Sequence, residues 1–236
     1  MAREFEIVRE VDIDAPPQDV WDAVTTANGA WLWPMEFEPH VGGAASFGGT
    51  VVVWDPPHRV AGRHEGPDGW FNQVEETISA LDEGRSRLRW VHSGVFAEDW
   101  DNQYDGAGQH TDFYLHTLTQ YLAHFRGRPV TYSSFDAPSA STGPDGLTRL
   151  LAALGVEGLP EGSTTTASIA TSVERVDVDY VRPNFVGLRT DGALVRIFGR
   201  NAFGAPVGIA VHDFAPDADA EATTARWTSW LDTVYA

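Results

Sequence analysis

The chain has 236 residues, 42% of them hydrophobic and 21% charged, which excludes a disordered composition and leaves room for one large domain or two small ones. Its net charge of −18, with Arg as the only cationic residue besides His, argues against nucleic acid and against an anionic membrane surface as partners. The absence of Cys excludes disulfides, thiolate metal sites and a Cys nucleophile.

From the N-terminus, Glu4–Asp14 places Phe5, Ile7, Val11 and Ile13 on odd positions and Glu4, Glu6, Glu10, Asp12 and Asp14 on even ones, with Val8-Arg9 the one break, which predicts a half-buried strand. Ala15-Pro16-Pro17 ends it, and Val20, Trp21 and Val24 follow at the spacing of a short helix begun near Pro17. After Ala30-Trp31-Leu32-Trp33-Pro34 come five β-forming stretches, Phe37–Ser46, Thr50–Trp54, His58–Glu65, Phe71–Leu81 and Arg87–Val95. They are separated by Gly-Gly, Pro-Pro, Gly-Pro and Glu-Gly, as in an antiparallel meander. Glu98–Gly108 reads as a polar loop. His110–Phe125 then switches to helical spacing, with Tyr114, Leu118, Tyr121, Leu122 and Phe125 on one apolar stripe and Gly127 as the stop.

The Ser-, Ala-, Pro- and Gly-rich stretch 133–143 reads as a linker. Beyond it the pattern predicts a short helix through Leu147, Leu150, Leu151 and Leu154, a loop over Gly158–Thr166, and strands at Ile169–Val181, Phe185–Arg189, Ala193–Phe198 and Pro206–Phe214. A final helix over Asp217–Tyr235 carries Trp227, Trp230 and Leu231. The expected division is therefore a domain over 1–132, a linker over 133–144, and an α+β extension over 145–236 that is short for a full copy of the first. So small a module exposes more apolar surface than it can cover, so it should dock on the first domain or on a second copy of the chain, which makes a homodimer one expected assembly. Met1-Ala2-Arg3-Glu4-Phe5-Glu6 has no apolar leader core and no run of about 18 apolar residues occurs, so the cytoplasm is the expected compartment.

This order of elements resembles the START/Bet v 1-like (SRPBCC) superfamily. The residues most like it are Ile13-Asp14-Ala15-Pro16-Pro17-Gln18-Asp19-Val20-Trp21. Glu38-Pro39-His40-Val41-Gly42-Gly43, Trp54-Asp55-Pro56-Pro57-His58-Arg59 and His92-Ser93-Gly94 are similar to the Aha-like branch, related to the co-chaperone activator of a heat-shock ATPase. His40 stands where many such members have Arg, and the stretches 184–189 and 198–204 look like an extension of some bacterial relatives. The resemblance implies an α+β helix-grip fold, a curved antiparallel sheet wrapped on a long helix, with a pocket between them. It implies no particular reaction, since the superfamily includes lipid carriers, hormone receptors, polyketide cyclases and co-chaperones.

Nine Trp and twelve Phe supply large rings that leave irregular space, so the interior can hold a cavity, although rings also simply fill Gly-rich sheets. The side chains expected to approach one space are Trp31, Trp33, Trp54, Trp90, Phe113, Tyr114 and Thr117, with His64 and Asn72 as polar contacts. Alternation puts Glu76 on the face of Val74 and Ile78, where an unpaired carboxyl would have a raised pKa and, with His92, could move protons. Alternatively Glu76 pairs with Arg63 or Arg87 on a neighbouring strand, or a bulge turns it outward.

No metal site is expected, because the eight His form no HxH, HxxxH or HExxH pattern, and no Gly-x-Ser-x-Gly elbow precedes a helix. No cofactor is expected either. The leading functional expectation is a binding or carrier protein for an apolar or aromatic small molecule. The alternatives are an enzyme of the polyketide cyclase/dehydratase or hydrolase type working through Glu76 or His92, and a co-chaperone-like protein-binding module.

Overall fold

A computed structural model describes residues 2–82 and 84–236. Met1 and Glu83 lie outside the described residues, and with Glu83 the Glu-Gly turn signal. The chain divides into two compact units, Met1–Gly127 and Arg128–Ala236.

The first unit runs β1 (Arg3–Ile13), α1 (Pro17–Thr25), β2 (Ala44–Ala45), β3 (Gly49–Asp55), β4 (Arg59–Glu65), β5 (Phe71–Asp82), β6 (Arg85–Phe96) and α2 (Trp100–His124). Its six strands form one antiparallel sheet in the order β1-β6-β5-β4-β3-β2. The alternation of β1 has no break: Phe5, Ile7 and Ile13 are buried, and Arg9 holds the inward phase because its guanidinium is bonded to Asp112 on α2. On the outer face the charges pair across strands, Arg87 with Asp12 and Arg59 with Glu75. Bulges, one between Val51 and Val53 and one between Ala80 and Asp82, shift the register and bend the strands.

Two local expectations are corrected. The strand expected over 37–46 shrinks to Ala44–Ala45 with one isolated bridge from Phe37, and the chain there is held by side chains instead: Glu38 Oε2 accepts from Ala44 N and Ser46 Oγ from Glu36 N. The expected loop over 98–108 is helical from Trp100 onward. Asp and Gly make that stretch a poor helix former, but tertiary contacts override propensity. Trp100 Nε1 donates to Glu4 O, Tyr104 Oη to Glu6 O, the two rings stack at 4.6 Å, and Arg3 lies over Trp100. Gly106 and Gly108 are buried in the turn that follows.

Leu118 on α2 is fully buried. Leu118→Asp should therefore unfold the first unit, because a carboxylate there would lose water without gaining a partner. Urea unfolding of that variant at near wild-type midpoint would contradict this packing.

The second unit runs β7 (Thr131–Asp136), α3 (Gly146–Leu154), β8 (Thr164–Ile169), β9 (Ser172–Arg182), β10 (Phe185–Arg189), β11 (Ala193–Phe198), β12 (Gly208–Asp213) and α4 (Ala220–Val234). Its sheet order is β7-β12-β11-β10-β9-β8. That is the order of the first sheet repeated, in the same sequence of strand, helix, five strands and long helix. The extension is thus a second copy of the helix-grip topology rather than a fragment of one. The stretch expected as a linker supplies β7, which pairs with β12 from Thr131↔Asp213 to Asp136↔Gly208, and continues into a 3-10 turn at Ser139–Thr142. Ser133 is buried in this strand, and β8 replaces part of the expected 158–166 loop. Leu150 and Leu154 of α3 and Trp227 and Leu231 of α4 share one buried cluster with Leu188, Val195, Ile197 and Ile209.

Candidate functional site

Between the first sheet and α2 lies a cavity of about 360 Å³. Its floor is built by strand pairing. His64 of β4 stands opposite Asn72 of β5, Val74 opposite His92 of β6, and Glu76 opposite Trp90. Because side chains alternate, this register sends Asn72, Val74 and Glu76 to the same side as Trp90 and His92. Ala107, His110, Thr111 and Tyr114 form the helix wall, in the i, i+3, i+4, i+7 pattern of one helix face. Trp33, Met35, Phe37, Phe47 and Trp70 complete the wall from loops, with Phe47 at the rim and 69% exposed.

Glu76 is 4% exposed, and no hydrogen bond or ion pair reaches its carboxyl among the described residues. The alternative pairing with Arg63 or Arg87 does not form. Arg63 is bonded to Glu65 and Gln73, and Arg87 to Asp12. Burial, with a smaller push from the Glu75 charge, raises the Glu76 pKa to about 8, so the carboxyl is mostly protonated at pH 7. Burial also lowers the His92 pKa to about 4 and keeps the imidazole neutral. His92 Nε2 lies 3.0 Å from Asn72 Nδ2 and 3.3 Å from Asn72 Oδ1, and Phe5 meets the imidazole edge-on with centroids 4.9 Å apart. An apolar space lined by neutral polar groups can orient an uncharged molecule and exchange a proton with it.

Among the described residues, no group of three or more His, Cys, Asp or Glu side chains is placed to hold a metal ion, and no helix is long and apolar enough to cross a membrane.

Residues 14–123 match the model of the family described as Activator of Hsp90 ATPase homolog 1-like protein. That match falls within the first unit, which is therefore similar to the Aha-like family. Protein MLL2253 from Mesorhizobium loti is similar at 26% identity, over 51% of this chain and 98% of its own, with a TM-score of 0.42. The Aha1 dimer from Colwellia psychrerythraea is similar at 20% identity, over 50% and 96%, with a TM-score of 0.40. DynU16, of the dynemicin biosynthetic locus, is similar at 15% identity, over 98% and 95%, with a TM-score of 0.43. No curated protein matches the chain.

Within the Aha-like unit, the cavity brings together Trp33, His64, Asn72, Glu76, Trp90, His92 and Tyr114 of the residues expected to share one space. Four others stand elsewhere. Trp31 is core, its Nε1 donating to Ala23 O at 2.9 Å while its ring backs Trp90 edge-on at 6.0 Å. Trp54 packs on Trp21 at the far end of β3. Phe113 and Thr117 are buried on α2 but off the cavity wall, since each residue step turns a helix by about 100° and Tyr114 already faces the space. Wall residues that the sequence reading did not single out include Phe37, Phe47 and Trp70. They lie beside turns, where neither the period of a strand nor that of a helix assigns a face.

Proposed function

We propose that the Aha-like unit binds or carries an apolar or aromatic small molecule in the cavity between its sheet and α2. The observation that supports this most is the cavity itself, whose wall combines aromatic side chains with a few neutral polar groups. The negative charge of the chain disfavours anionic ligands at long range. Native mass spectrometry of the purified protein, before and after adding aromatic compounds and lipids, tests the reading. A mass shift of one ligand per chain is expected from at least one aromatic class, and no shift with any class would sink it.

A second reading, an enzyme of the cyclase or dehydratase type, is favoured by one observation: Glu76 and His92 both line the cavity, the first as a protonated acid and the second as a neutral base. Glu76 would protonate a carbonyl oxygen while His92 accepts a proton from the same bound molecule. Loss of one water from a captured ligand, abolished in Glu76→Gln, would support it. Unchanged ligand recovered after long incubation would leave carriage as the function.

A further inference from the structure

Among the described residues, Glu76 is the one carboxyl on the cavity wall and Arg63 the one guanidinium. They are unequal. Arg63 is bonded to Glu65 and Gln73 and lies over the Phe71 ring at 4.1 Å, so its charge is already matched. Glu76 has no such partner, and the polar groups beside it are occupied with others: Asn72 Nδ2 lies 3.0 Å from His92 Nε2, and Thr111 Oγ1 donates to Ala107 O at 2.9 Å. Trp33 Nε1, Trp90 Nε1 and His64 Nε2 are sealed inside the wall, out of a ligand's reach. The Glu76 carboxyl is not sealed, and the 4% exposure that the residue keeps opens on the cavity. A carboxyl so placed carries its desolvation cost until something in that space bonds to it.

The chemistry of that partner follows from charge. An anion is disfavoured, since Glu76 would repel it once ionised and Arg63 is already bonded. A neutral acceptor would take one hydrogen bond from the protonated acid and nothing more. An ammonium ion instead displaces the acid's proton to solvent and bonds to the carboxylate, a charge-assisted contact roughly twice as strong as a neutral one. Two features of the surroundings add to this. Ring faces carry partial negative charge and attract an organic cation, and Trp33, Phe37, Trp70, Trp90 and Tyr114 stand on the wall. At long range the net charge of −18 gathers cations toward the chain. We infer that the cavity takes a hydrophobic amine, an organic cation whose ammonium group donates to the Glu76 carboxylate while its apolar body fills the aromatic space. This rests on the reading of the cavity as a small-molecule site and narrows the ligand to a base.

Three probes of one skeleton separate the cases: 2-naphthylmethylamine, 2-naphthylmethanol and 2-naphthoate, titrated against the full chain by calorimetry. At pH 8 the amine, still an ammonium ion, is expected to bind at least about tenfold more tightly than either of the others, the margin by which a hydrogen bond to a charged group exceeds a neutral one. At pH 7 the amine titration is repeated in phosphate and in Tris, which differ in ionisation enthalpy. It should release about one proton per ligand, because the carboxyl of the free protein holds its proton up to a pKa of about 8. Arg63, His64, His92, His110 and Tyr114 are the other titratable groups on the wall, so the source of that proton has to be identified. Glu76→Gln should abolish the release and bring the amine-to-alcohol ratio close to one. If that variant misfolds by circular dichroism, a pH series on the wild type decides. Amine affinity should rise between pH 6 and pH 8 by up to about tenfold per unit, and alcohol affinity should not. The alcohol or 2-naphthoate binding as tightly as the amine, proton release that persists in Glu76→Gln, or an amine affinity flat across that range overturns the amine while leaving the cavity reading intact. Failure of all three probes, with failure of dodecanol as a saturated control, overturns both.

Discussion

Replacing Glu76 by Gln is expected to stabilise the protein at pH 9 by about 5 kcal/mol and to leave it nearly unchanged at pH 4.5. The carboxyl sits 4% exposed between Val60 and Trp90, without an ion pair, and burial lifts its pKa from the ordinary 4.5 to about 8. The sign follows from linkage. Between those two values the folded chain holds a proton that the unfolded chain has released, so stability falls as pH rises through the window and levels off above about 8. At about 1.4 kcal/mol per pH unit, that window amounts to about 5 kcal/mol. Gln keeps the shape and has nothing to ionise, so its stability should not fall across the window. Urea unfolding of the full chain and of Glu76→Gln, in steps from pH 5 to pH 9, measures the divergence. Parallel curves would mean that the carboxyl ionises freely, which would also remove the argument for an acid inside the cavity.

The features of this fold that were legible in the sequence are those carried by a regular period. β1 and β4–β6 could be read because residues two apart share a fate, and this alone put Glu76, Asn72, Trp90 and His92 on one face. Arg9 looked like a break in β1 only because its partner, Asp112, is 103 residues away. The first turns of α2 failed as a sequence signal for a similar reason. Their stability comes from Trp100 and Tyr104 reaching β1, not from the Asp and Gly residues between them. The four misplaced site residues share another cause: a ring's size predicts that it will be buried but not which side of the element it occupies. For Trp31 that was decided by a hydrogen bond to Ala23 O.

The second unit was not read as a full copy of the first because β7 is written in Thr, Ser and Tyr and runs straight into a Pro- and Ser-rich turn. A signal was nonetheless present. Ile13-Asp14-Ala15-Pro16 at the end of β1 reappears as Phe135-Asp136-Ala137-Pro138 at the end of β7, and both alanines are buried. The same short phrase marks where the first strand of each unit ends and the chain turns toward the next helix. One such repeat is weak as a motif. With five strands after it and the same sheet order in both units, it marks the start of a duplicated topology.

In the second unit, Gly187→Ala is expected to destabilise the protein by about 3–5 kcal/mol. Gly187 lies on β10, opposite Arg196 of β11 and Tyr180 of β9, at a register shift. Over this position runs a buried ion pair: Arg196 Nη1 and Nη2 donate to Asp179 Oδ1 and Oδ2 at 2.7 and 2.9 Å, with side chains 1% and 6% exposed. A methyl group on residue 187 would collide with Asp179 Oδ1 and Arg196 Nη1 at once, so the glycine is required here for space rather than for its backbone freedom. Burying the pair already costs desolvation on both sides, and its fork geometry is what offsets that cost. Prising it apart should therefore cost about as much as removing one partner, which is the magnitude given. Gly192→Ala is the matched control, since a Cβ there meets nothing within 4 Å, and it should be neutral or slightly stabilising. A second check is non-additivity: with Arg196→Met and Asp179→Leu already in place, the alanine should cost clearly less than it does in the wild type. Chemical denaturation of the five proteins, wild type, the two alanine variants, the double replacement and the triple, gives all the differences needed. If Gly187→Ala unfolds within about 0.5 kcal/mol of Gly192→Ala, the pair does not need the space that the glycine leaves.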